Sequence, residues 1–409
     1  MQEFTPEEYL KIDIATNFGL DKENWSDRIS WFENNKHHLN DFLDQAEEPP
    51  LYYAAVKAFQ ATQRNEEIGY PISLDATASG AQILSILMGC EKSARLCNVI
   101  DTGNRLDFYT EIFKYMKTNL NQTNLLSRQV LKDGMMPWFY GSEKLPDKMF
   151  GKDTEERQMF ETTVQEEAPG LYALRNVLVT LWDPTALKHS WVLPDNFHVH
   201  VKVSHKQPLP FICMGEEDVA VLTTNHPKET GLSNAANTIH SVDGLVVREM
   251  GYRCMYDETQ IIFIKKHLMR TSVNRFGEIG SSYKMNTKTK NARMVKTLLE
   301  RYRKSDFLSA RILNYIDQDT IYLIPREPLI ELLESLPAKS FDILTNHDCF
   351  RCHPNYGNDL RRQYKQILYE LAKSEILSDI VTQLCGEEYQ IKKFGMNPKD
   401  ILNSEYAIS

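Results

Sequence analysis

The sequence predicts an α+β fold in which helices outnumber strands. Most apolar residues recur three or four positions apart, as in amphipathic helices, whereas only short runs alternate or stay apolar as strands do. Of the 409 residues, 42% are hydrophobic and 25% are charged, a composition typical of a globular chain with two or three packed subdomains. No apolar run approaches the roughly 18 to 20 residues of a membrane-spanning helix, so we expect no membrane contact.

Helices are predicted wherever a capping residue or a helical apolar period marks a segment. Ser26 is expected to cap the first of them, which holds apolar residues up to Leu43, and Ser79 is expected to cap a later one. The other predicted helices lie near 51–65, 103–120, 123–136, 154–166, 170–182 and 358–384.

Three regions carry strand signals. Residues 69–74 form a short, partly apolar run that ends at Asp75, and residues 341–346 form another that precedes Asp348. Residues 191–203 alternate around a turn at Pro194-Asp195-Asn196, which predicts a hairpin.

The cysteines and the first residues indicate a reducing compartment. Seven cysteines are an odd number for a disulfide framework, and the first 15 residues carry acidic side chains where a signal peptide needs an apolar core. The sequence therefore predicts a cytoplasmic protein without disulfides.

The formal charge of −9 argues against a protein that coats DNA with its whole surface, but one segment reverses the sign. Residues 261–304 contain 12 Lys and Arg against Glu278 and Glu300. Solvated helix faces usually mix the two signs, so the segment is either such a face or a contact for nucleic acid or a protein partner. If it binds nucleic acid, the salt dependence of binding should flatten when four of its residues are neutralised: Lys284, Lys288, Lys290 and Arg293.

Two aspartates occupy similar local settings, since Asp75 ends one predicted strand and Asp348 follows another. A carboxylate at a strand end is held rigidly and points into open space. Two such groups brought together would repel each other unless cations lay between them, and paired Mg²⁺ ions with phosphates are the usual solution.

Between the aspartates, residues 128–141 carry a cationic stripe. Arg128, Lys132, Met136 and Tyr140 are spaced four residues apart and so advance along one face of a helix, with Gly141 immediately after them. Such a stripe can hold a triphosphate at one end and a sugar and base at the other.

Five segments resemble the single-subunit DNA-dependent RNA polymerases of T-odd phages and mitochondria. Residues 73–82 (SLDATASGAQ) resemble motif A of that family, residues 128–141 its motif B, and residues 347–350 (HDCF) its motif C. Residues 239–244 (IHSVDG) resemble its HSxDG segment, and residues 400–407 its carboxy-terminal foot. The segments occur in the family's order, which is more specific than any one of them.

The resemblance implies a right-hand polymerase with a small antiparallel palm sheet. Its implied regions are N-terminal helices and the first part of the palm in 1–100, fingers in 101–240, and the second part of the palm with the foot in 241–409. The stretch from His240 to Asp348 is longer than the family needs, which implies a basic insertion at about 253–330.

The resemblance also implies the site residues. Asp75, Asp348 and the carbonyl of Ala76 would bind two Mg²⁺ ions. The implied substrate-binding residues for NTPs and the nascent pair are Arg128, Lys132, Tyr140, Gly141, His240 and Lys22, with Lys132 placed to protonate the leaving group and Tyr140 to select a ribose.

A split enzyme is expected because only 21 residues precede Lys22. The family's amino-terminal domain, thumb and D-x-x-G-R segment should lie there, so a second polypeptide is expected to supply them. The chain thus resembles the larger, catalytic subunit of the two-subunit RNA polymerases of Enquatrovirus-like phages. This implies a DNA template, an RNA product, transcription of phage genes with the middle genes as candidates, and the cytoplasm of an infected bacterium.

Several alternatives compete with this interpretation. A family A-like DNA polymerase would carry a Glu in motif A, where this chain has small residues from Thr77 to Gly80, and His-Asp-Glu in motif C, where it has Cys349. A non-catalytic nucleic-acid-binding subunit would be expected to lose a metal ligand. Residues 349–353 also fit a C-x-x-C-H haem motif, and a zinc site would need a second ligand pair.

Three residues of the motif B segment depart from the family pattern. Asp133 follows Lys132 where a basic or neutral residue is usual, and Gly134 and Pro137 lie inside the predicted helix. Because proline removes a backbone hydrogen bond, we expect a kink before Tyr140.

Overall fold

The computed structural model describes residues 1–119, 127–231, 233–273 and 288–409, with the side chains at 119 and 270–273 outside the description. Within these ranges the fold is mostly helical with small antiparallel sheets, as the sequence predicted. The helices are α1 Pro6–Ala15, α2 Trp25–Asn35, α3 Pro49–Gln63, α4 Ser79–Leu87, α5 Glu91–Leu96, α6 Phe108–Asn119, α7 Arg128–Phe139, α8 Lys144–Phe150, α9 Glu155–Glu167, α10 Pro169–Thr180, α11 Ser233–Cys254, α12 Glu258–Val273, α13 Lys290–Ser305, α14 Arg326–Ser335, α15 Gly357–Lys373 and α16 Ile376–Cys385. The strands are β1 Ile72–Asp75, β2 Lys188–Val192, β3 His198–Lys202, β4 His205–Cys213, β5 Glu216–Thr224, β6 Ile343–Asn346 and β7 Cys349–Cys352.

The central sheet has the strand order β1-β7-β6, and both pairings are antiparallel. Asp75 lies opposite Cys349, and the β6–β7 turn consists of His347 and Asp348. The other edge of β1 is covered by the residues up to Ser409, whose N–H donates to the Asp75 carbonyl at 2.9 Å. Three distant parts of the chain therefore meet in one sheet.

The main apolar core lies between this sheet and the helices around it. Helices α4, α11 and α15 pack against one another, and their apolar faces supply fully buried residues such as Leu84, Leu245 and Leu368. Burial of one such leucine side chain contributes about 1.5–3 kcal/mol. These helices give the ends of β1 and of the β6–β7 hairpin a rigid support.

A second apolar cluster lies in the region between α11 and β6. It is built by α12, α13, α14 and the short 3₁₀ turns between α13 and α14, with Leu298, Ile312 and Leu329 at its centre. A buried carboxylate joins it to the main core, because Glu249 of α11, which pairs with Arg253 of the same helix at 3.2 Å, also accepts a hydrogen bond from the backbone N–H of Ala310 at 3.0 Å. The predicted insertion thus contains a core of its own and is anchored on α11.

Several local predictions were wrong at helix ends. Asn24, not Ser26, is the N-cap of α2, and that helix ends at Asn35, before a separate 3₁₀ turn over Leu39–Gln45. Ser79 is the first residue of α4, and Ala78 occupies its N-cap with a left-handed φ of 118°. Residues 358–384 form two helices, because the chain turns at Ser374 between α15 and α16. The part of the predicted helix 123–136 that falls in 123–126 lies outside the described residues.

The hairpin predicted at 191–203 is present as β2 and β3, which pair over Lys188–Val192 and His198–Lys202. A second hairpin, β4–β5, was missed. Its two-residue loop is Met214-Gly215 with φ of 52° and 89°, the conformation of the turns that join antiparallel strands most tightly. In the described part of the chain, no helix combines the length and apolarity needed to cross a bilayer.

Candidate active site

The two predicted aspartates lie at one edge of the central sheet. Asp75 is the last residue of β1, and Asp348 lies in the turn between β6 and β7, beside the register partner of Asp75. The N–H of Ala76 donates to the Asp348 carbonyl at 3.2 Å, so the backbones of the two segments are joined at this point. Both aspartates line one cavity of about 530 Å³.

The electrostatics of this edge are those of crowded carboxylates. Burial by the cavity walls and the charge of Asp348 raise the pKa of Asp75 to about 6. Burial and Asp348 raise the pKa of Asp243 on α11 to about 6 as well, although His347 and a hydrogen bond from Ser79 act in the opposite direction. The carboxylates repel one another, and a bound cation would relieve that repulsion.

The donor set fits a hard divalent cation whose coordination is completed by substrate and water. No cluster of three or more His, Cys, Asp or Glu side chains in the described ranges forms a ready metal site, which speaks against a closed zinc site. Mg²⁺, however, is usually held by one or two carboxylates together with substrate phosphates. Asp75 and Asp348 match that requirement, and the Ala76 carbonyl accepts one hydrogen bond, from Ala78 at 2.9 Å, which leaves a second lone pair.

Helix α7 forms another part of the cavity wall. Arg128, Lys132, Met136 and Tyr140 all line it, so the four-residue spacing predicted their common face correctly. Ser127 caps the helix by accepting a hydrogen bond from the Val130 N–H at 3.3 Å.

The two cations of this wall differ in their partners. Arg128 forms a two-pronged ion pair with Asp107, with Nε 3.1 Å from Oδ1, and donates to Thr110 at 3.2 Å. Lys132 is exposed to the cavity, 5.8 Å from the centre of the Tyr109 ring, and in the described ranges no carboxylate lies within ion-pair distance of it. Lys132 is therefore the cation that is available to an incoming anion without losing an existing pair.

Tyr140 is held between motif A and α11. Its ring centre lies 4.9 Å from that of His240, and a Cβ added to Gly80 would lie 3.2 Å from its hydroxyl. The absence of a side chain at Gly80 is thus what allows the Tyr140 hydroxyl to reach this position.

The remaining predicted substrate-binding residues differ in whether they line the cavity. Lys22 lines the cavity and pairs with Asp21 at 3.4 Å. His240 contacts Tyr140 from the side and does not line the cavity itself. Gly141 does not line it either, and with a φ of 92° it reverses the chain after α7, where its N–H donates to Trp138 at 2.8 Å. A structural role explains Gly141 better than contact with substrate.

Sequence reasoning missed Asp107, Tyr109, Arg105 and the carboxylate of Asp243. The first three line the cavity just before α6 and in its first turn, and no spacing rule links them to α7, which follows them in the chain. Asp243 lies within the quoted IHSVDG segment three residues after His240, so its position on one helix with that histidine was a usable signal.

A buried network fixes motif A from behind. The Gln82 amide nitrogen donates to Thr77 at 3.1 Å and to the Ala407 carbonyl at 2.7 Å, and its oxygen accepts from the buried Tyr364 hydroxyl at 2.7 Å. Every polar atom of Gln82 is therefore engaged, which holds the segment after Asp75 against α15 and against the residues near Ser409.

The structure explains one departure in motif B. A Cβ at Gly134 would lie 2.7 Å from the Phe150 ring, so glycine permits the close approach of α8. Helix α7 continues through Pro137 and ends at Phe139, with Tyr140 as its C-cap. The kink expected at Pro137 therefore does not interrupt the helix, and the chain leaves it only at the C-cap, Tyr140.

The residues of the C-x-x-C-H motif, 349–353, are not arranged as haem attachment requires. Cys349 and Cys352 lie three positions apart in β7, which places their side chains on opposite faces of the strand. The ring of His353 lies 3.2 Å from the Ile68 carbonyl oxygen, where a hydrogen bond ties it to the chain. These contacts favour structural roles.

Comparison with known proteins bears on the first half of the chain. Residues 5–179 match the family described as DNA-dependent RNA polymerase. The match includes Asp75, Arg128, Lys132 and Tyr140, whereas His240 and Asp348 lie beyond it.

Three curated relatives are similar to parts of the chain, and each is named a probable DNA-directed RNA polymerase. That of Neurospora crassa is 30% identical over 174 residues, covering 35% of this chain and 19% of the relative. That of Podospora anserina is 26% identical over 164 residues, covering 31% and 17%, and that of Gelasinospora is 27% identical over 109 residues, covering 25% and 13%. This chain thus spans a fifth or less of the length of the curated relatives it matches.

Proposed function

We propose that this chain is the catalytic subunit of a phage DNA-directed RNA polymerase that transfers nucleotides from NTPs to an RNA 3′-hydroxyl on a DNA template. One observation carries the proposal: Asp75 and Asp348 line the same cavity as Lys132 and Tyr140. The family match over residues 5–179 supports it independently. The host is an infected bacterium, and the reaction takes place in its cytoplasm.

The proposal includes a right-hand architecture. The central sheet with α4, α11 and α15 corresponds to the palm, and the helices of 101–240, with α7 as the nucleotide-binding helix, correspond to the fingers. Residues 1–100 and 241–409 complete the palm, and the second apolar cluster corresponds to the insertion at about 253–330.

Asp75 and Asp348 would hold two Mg²⁺ ions, with the carbonyl of Ala76 as a further ligand. When bound, these ions lower the pKa of the RNA 3′-hydroxyl and stabilise the charge of the departing pyrophosphate. The protein's own part is to hold both carboxylates at the sheet edge, where Gln82 and the backbone bond between Ala76 and Asp348 prevent their separation.

The cations of α7 bind and neutralise the triphosphate. Lys132 contacts the phosphates and donates a proton to the pyrophosphate oxygen as the bond between that oxygen and the α-phosphorus breaks. The bond from the 3′-oxygen forms in the same step, and the proton of the 3′-hydroxyl passes to water. Arg128 is oriented by Asp107 and clamps the phosphates with the guanidinium edge that Asp107 leaves open. Lys22 approaches the same cavity from the amino-terminal segment.

Tyr140 selects the ribose in this proposal, with His240 beside it against the nascent pair. We expect Tyr140→Phe to lower the preference for NTPs over dNTPs by about 2- to 10-fold, since it removes one hydrogen-bonding hydroxyl worth about 0.5–1.5 kcal/mol. Primer extension with NTPs or dNTPs at matched concentrations measures this ratio.

Gly80 provides a coupled test of the same hydroxyl. Gly80→Ala places a methyl group about 3.2 Å from it, so activity should fall, and adding Tyr140→Phe should restore part of it. Tyr53→Phe, at an exposed tyrosine outside the cavity, is the matched control. An unchanged sugar ratio in an active Tyr140→Phe variant would remove this residue from sugar selection.

We also propose a second polypeptide that supplies the amino-terminal domain, the thumb and the D-x-x-G-R segment. Exposed apolar side chains support the need for a partner, since Ile212, Met214 and Val221 of the β4–β5 hairpin are 60% or more exposed, and apolar patches of this kind usually mark interaction sites.

The purified chain is therefore expected to be weak or inactive alone and to regain template-directed RNA synthesis when its partner is present. Mg²⁺-dependent extension of a primed DNA template, measured for the chain alone and for the complex from its native source, is the test. A monodisperse monomer that extends RNA at the rate of the native enzyme would contradict the two-subunit proposal. A native complex that incorporates no NTPs would contradict the polymerase proposal itself.

A further inference from the structure

The solvent face of α13 is densely and almost uniformly cationic. Exposed positions on this helix fall within an arc of about 140° at 100° per residue. They carry a single carboxylate, Glu300, and five cations: Lys290, Arg293, Lys296, Arg303 and Lys304. We call these five cations the α13 basic stripe. The opposite face, with Val295, Leu298 and Leu299, is buried in the second apolar cluster.

The α13 basic stripe is not neutralised by the protein. Lys304 lies 3.9 Å from Glu300, and in the described parts of the chain no carboxylate lies within ion-pair distance of Lys290, Arg293, Lys296 or Arg303. By contrast, the inward-facing Arg301 has a partner, Asp379, at 3.8 Å. The unpaired cations are therefore confined to the face that meets solvent.

The N-terminal part of the stripe opposes the stability of its own helix. Lys290 and Arg293 lie in the first turns, where the helix dipole disfavours cations, and this helix has no acidic residue in its first turn. Like charges three residues apart, as in the pairs Lys290–Arg293 and Arg293–Lys296, repel each other. A chain with a net charge of −9 that keeps such an arrangement is best explained by an anionic ligand.

The composition of the stripe distinguishes between kinds of anionic ligand. Protein interfaces usually have an apolar or aromatic centre, and the exposed arc of α13 contains none, since its other members are Thr297 and Glu300. The stripe extends over about 20 Å along the helix axis, a length over which a nucleic-acid strand presents several phosphates. Phosphodiester backbone is therefore the ligand that fits.

We infer that the α13 basic stripe binds the phosphodiester backbone of nucleic acid. The stripe is separate from the cavity that holds Asp75 and Asp348, because α13 contributes no residue to the lining of that cavity. The inference goes beyond the proposed function, since it assigns a binding surface whose affinity does not depend on catalysis. Arg275 and Lys284 of the basic segment lie outside the described residues and take no part in it.

The test removes four charges of the stripe by a combined K290Q/R293Q/K296Q/R303Q variant. Glutamine is a good helix former, so α13 should persist, and a thermal melt at or above that of the wild type would agree with relief of repulsion. The matched control, K36Q/K57Q/R64Q/K92Q, makes the same charge change at exposed sites, of which Lys36, Arg64 and Lys92 already have carboxylate partners.

The measurement is the affinity for labelled single-stranded DNA, RNA and duplex DNA of equal length, without nucleotides, over a series of KCl concentrations. Each lost phosphate contact should flatten the slope of log K against log salt by about 0.7 for single strands and 0.9 for duplex. The stripe variant should therefore lose up to about three units of slope, and K290Q/R293Q alone about half of that. The largest change among the three probes identifies the form of nucleic acid bound.

Equal slopes in the stripe variant and the control would overturn the inference. The inference would also be overturned if the stripe variant kept the wild-type slopes but lost a copurifying protein, because the stripe would then belong to a protein interface. The polymerase proposal is tested separately, because Asp348→Asn should leave all slopes unchanged even though it removes incorporation.

Discussion

Replacement of Asp348 or Asp75 by Asn is expected to reduce RNA synthesis by about 1,000-fold or more, because the charge stabilisation supplied by a catalytic metal is worth several kcal/mol. Of the other carboxylates that line the cavity, Asp21 already pairs with Lys22 and Asp107 with Arg128. Asp243 approaches Asp348 from α11, but a hydrogen bond ties it to Ser79. Primer extension on a DNA template with NTPs and Mg²⁺ measures the loss.

The same substitutions should not unfold the protein. Asp75 and Asp348 repel each other across the cavity edge, so in metal-free buffer each Asn variant should melt at the wild-type temperature or above it. Asp342→Asn, at an exposed site just before β6, is the matched control and should retain full activity. Substantial synthesis by either active-site variant would exclude that aspartate from metal binding.

Substitution of Lys132 is expected to have the second largest effect. Lys132→Gln removes both the phosphate contact and the proton donor, and removal of a positioned general acid usually costs about 10²- to 10⁴-fold in rate. Arg128, the other cation of α7 that lines the cavity, is engaged by Asp107 and does not release its proton, so we expect no compensation for the lost proton transfer.

Lys132→Arg separates the two roles. Arginine keeps the positive charge but does not release its proton in proteins, so KM for NTPs should stay near the wild-type value while kcat falls. Lys144→Gln on α8, an exposed lysine outside the cavity, serves as the matched control. Wild-type kcat in the arginine variant would argue against proton donation and leave Lys132 with an electrostatic role alone.

The sequence predicted those parts of the site that follow from local pattern. The strand before Asp75, the strand before Asp348 and the shared face of Arg128, Lys132 and Tyr140 all depend on spacing within about a dozen residues. The repeat of 3.6 residues per turn was enough to bring the α7 side chains to one cavity.

The parts that could not be predicted depend on contacts between distant segments. Asp107 is the partner of Arg128 only because α6 packs beside α7, and no local pattern carries that information. Glycine usually destabilises a helix interior, but at Gly134 it permits the close approach of the Phe150 ring of α8. Ser26 and Asn24 are both good caps, and tertiary packing of Trp25 against Tyr406 decides between them.

The positions in the chain of the strands of the central sheet determine when the site can form during synthesis. Its strands come from residues 72–75 and 343–352, and residues 407–409 close the edge of β1. Such pairings have a high contact order, which slows their formation because long loops must close first. A ribosome-bound chain that ends at α13 already contains Asp75 and Lys132 but cannot yet assemble the edge at which the two aspartates meet. Assembly of this edge must therefore await release of the segment around Ser409, after helix α16 has been made.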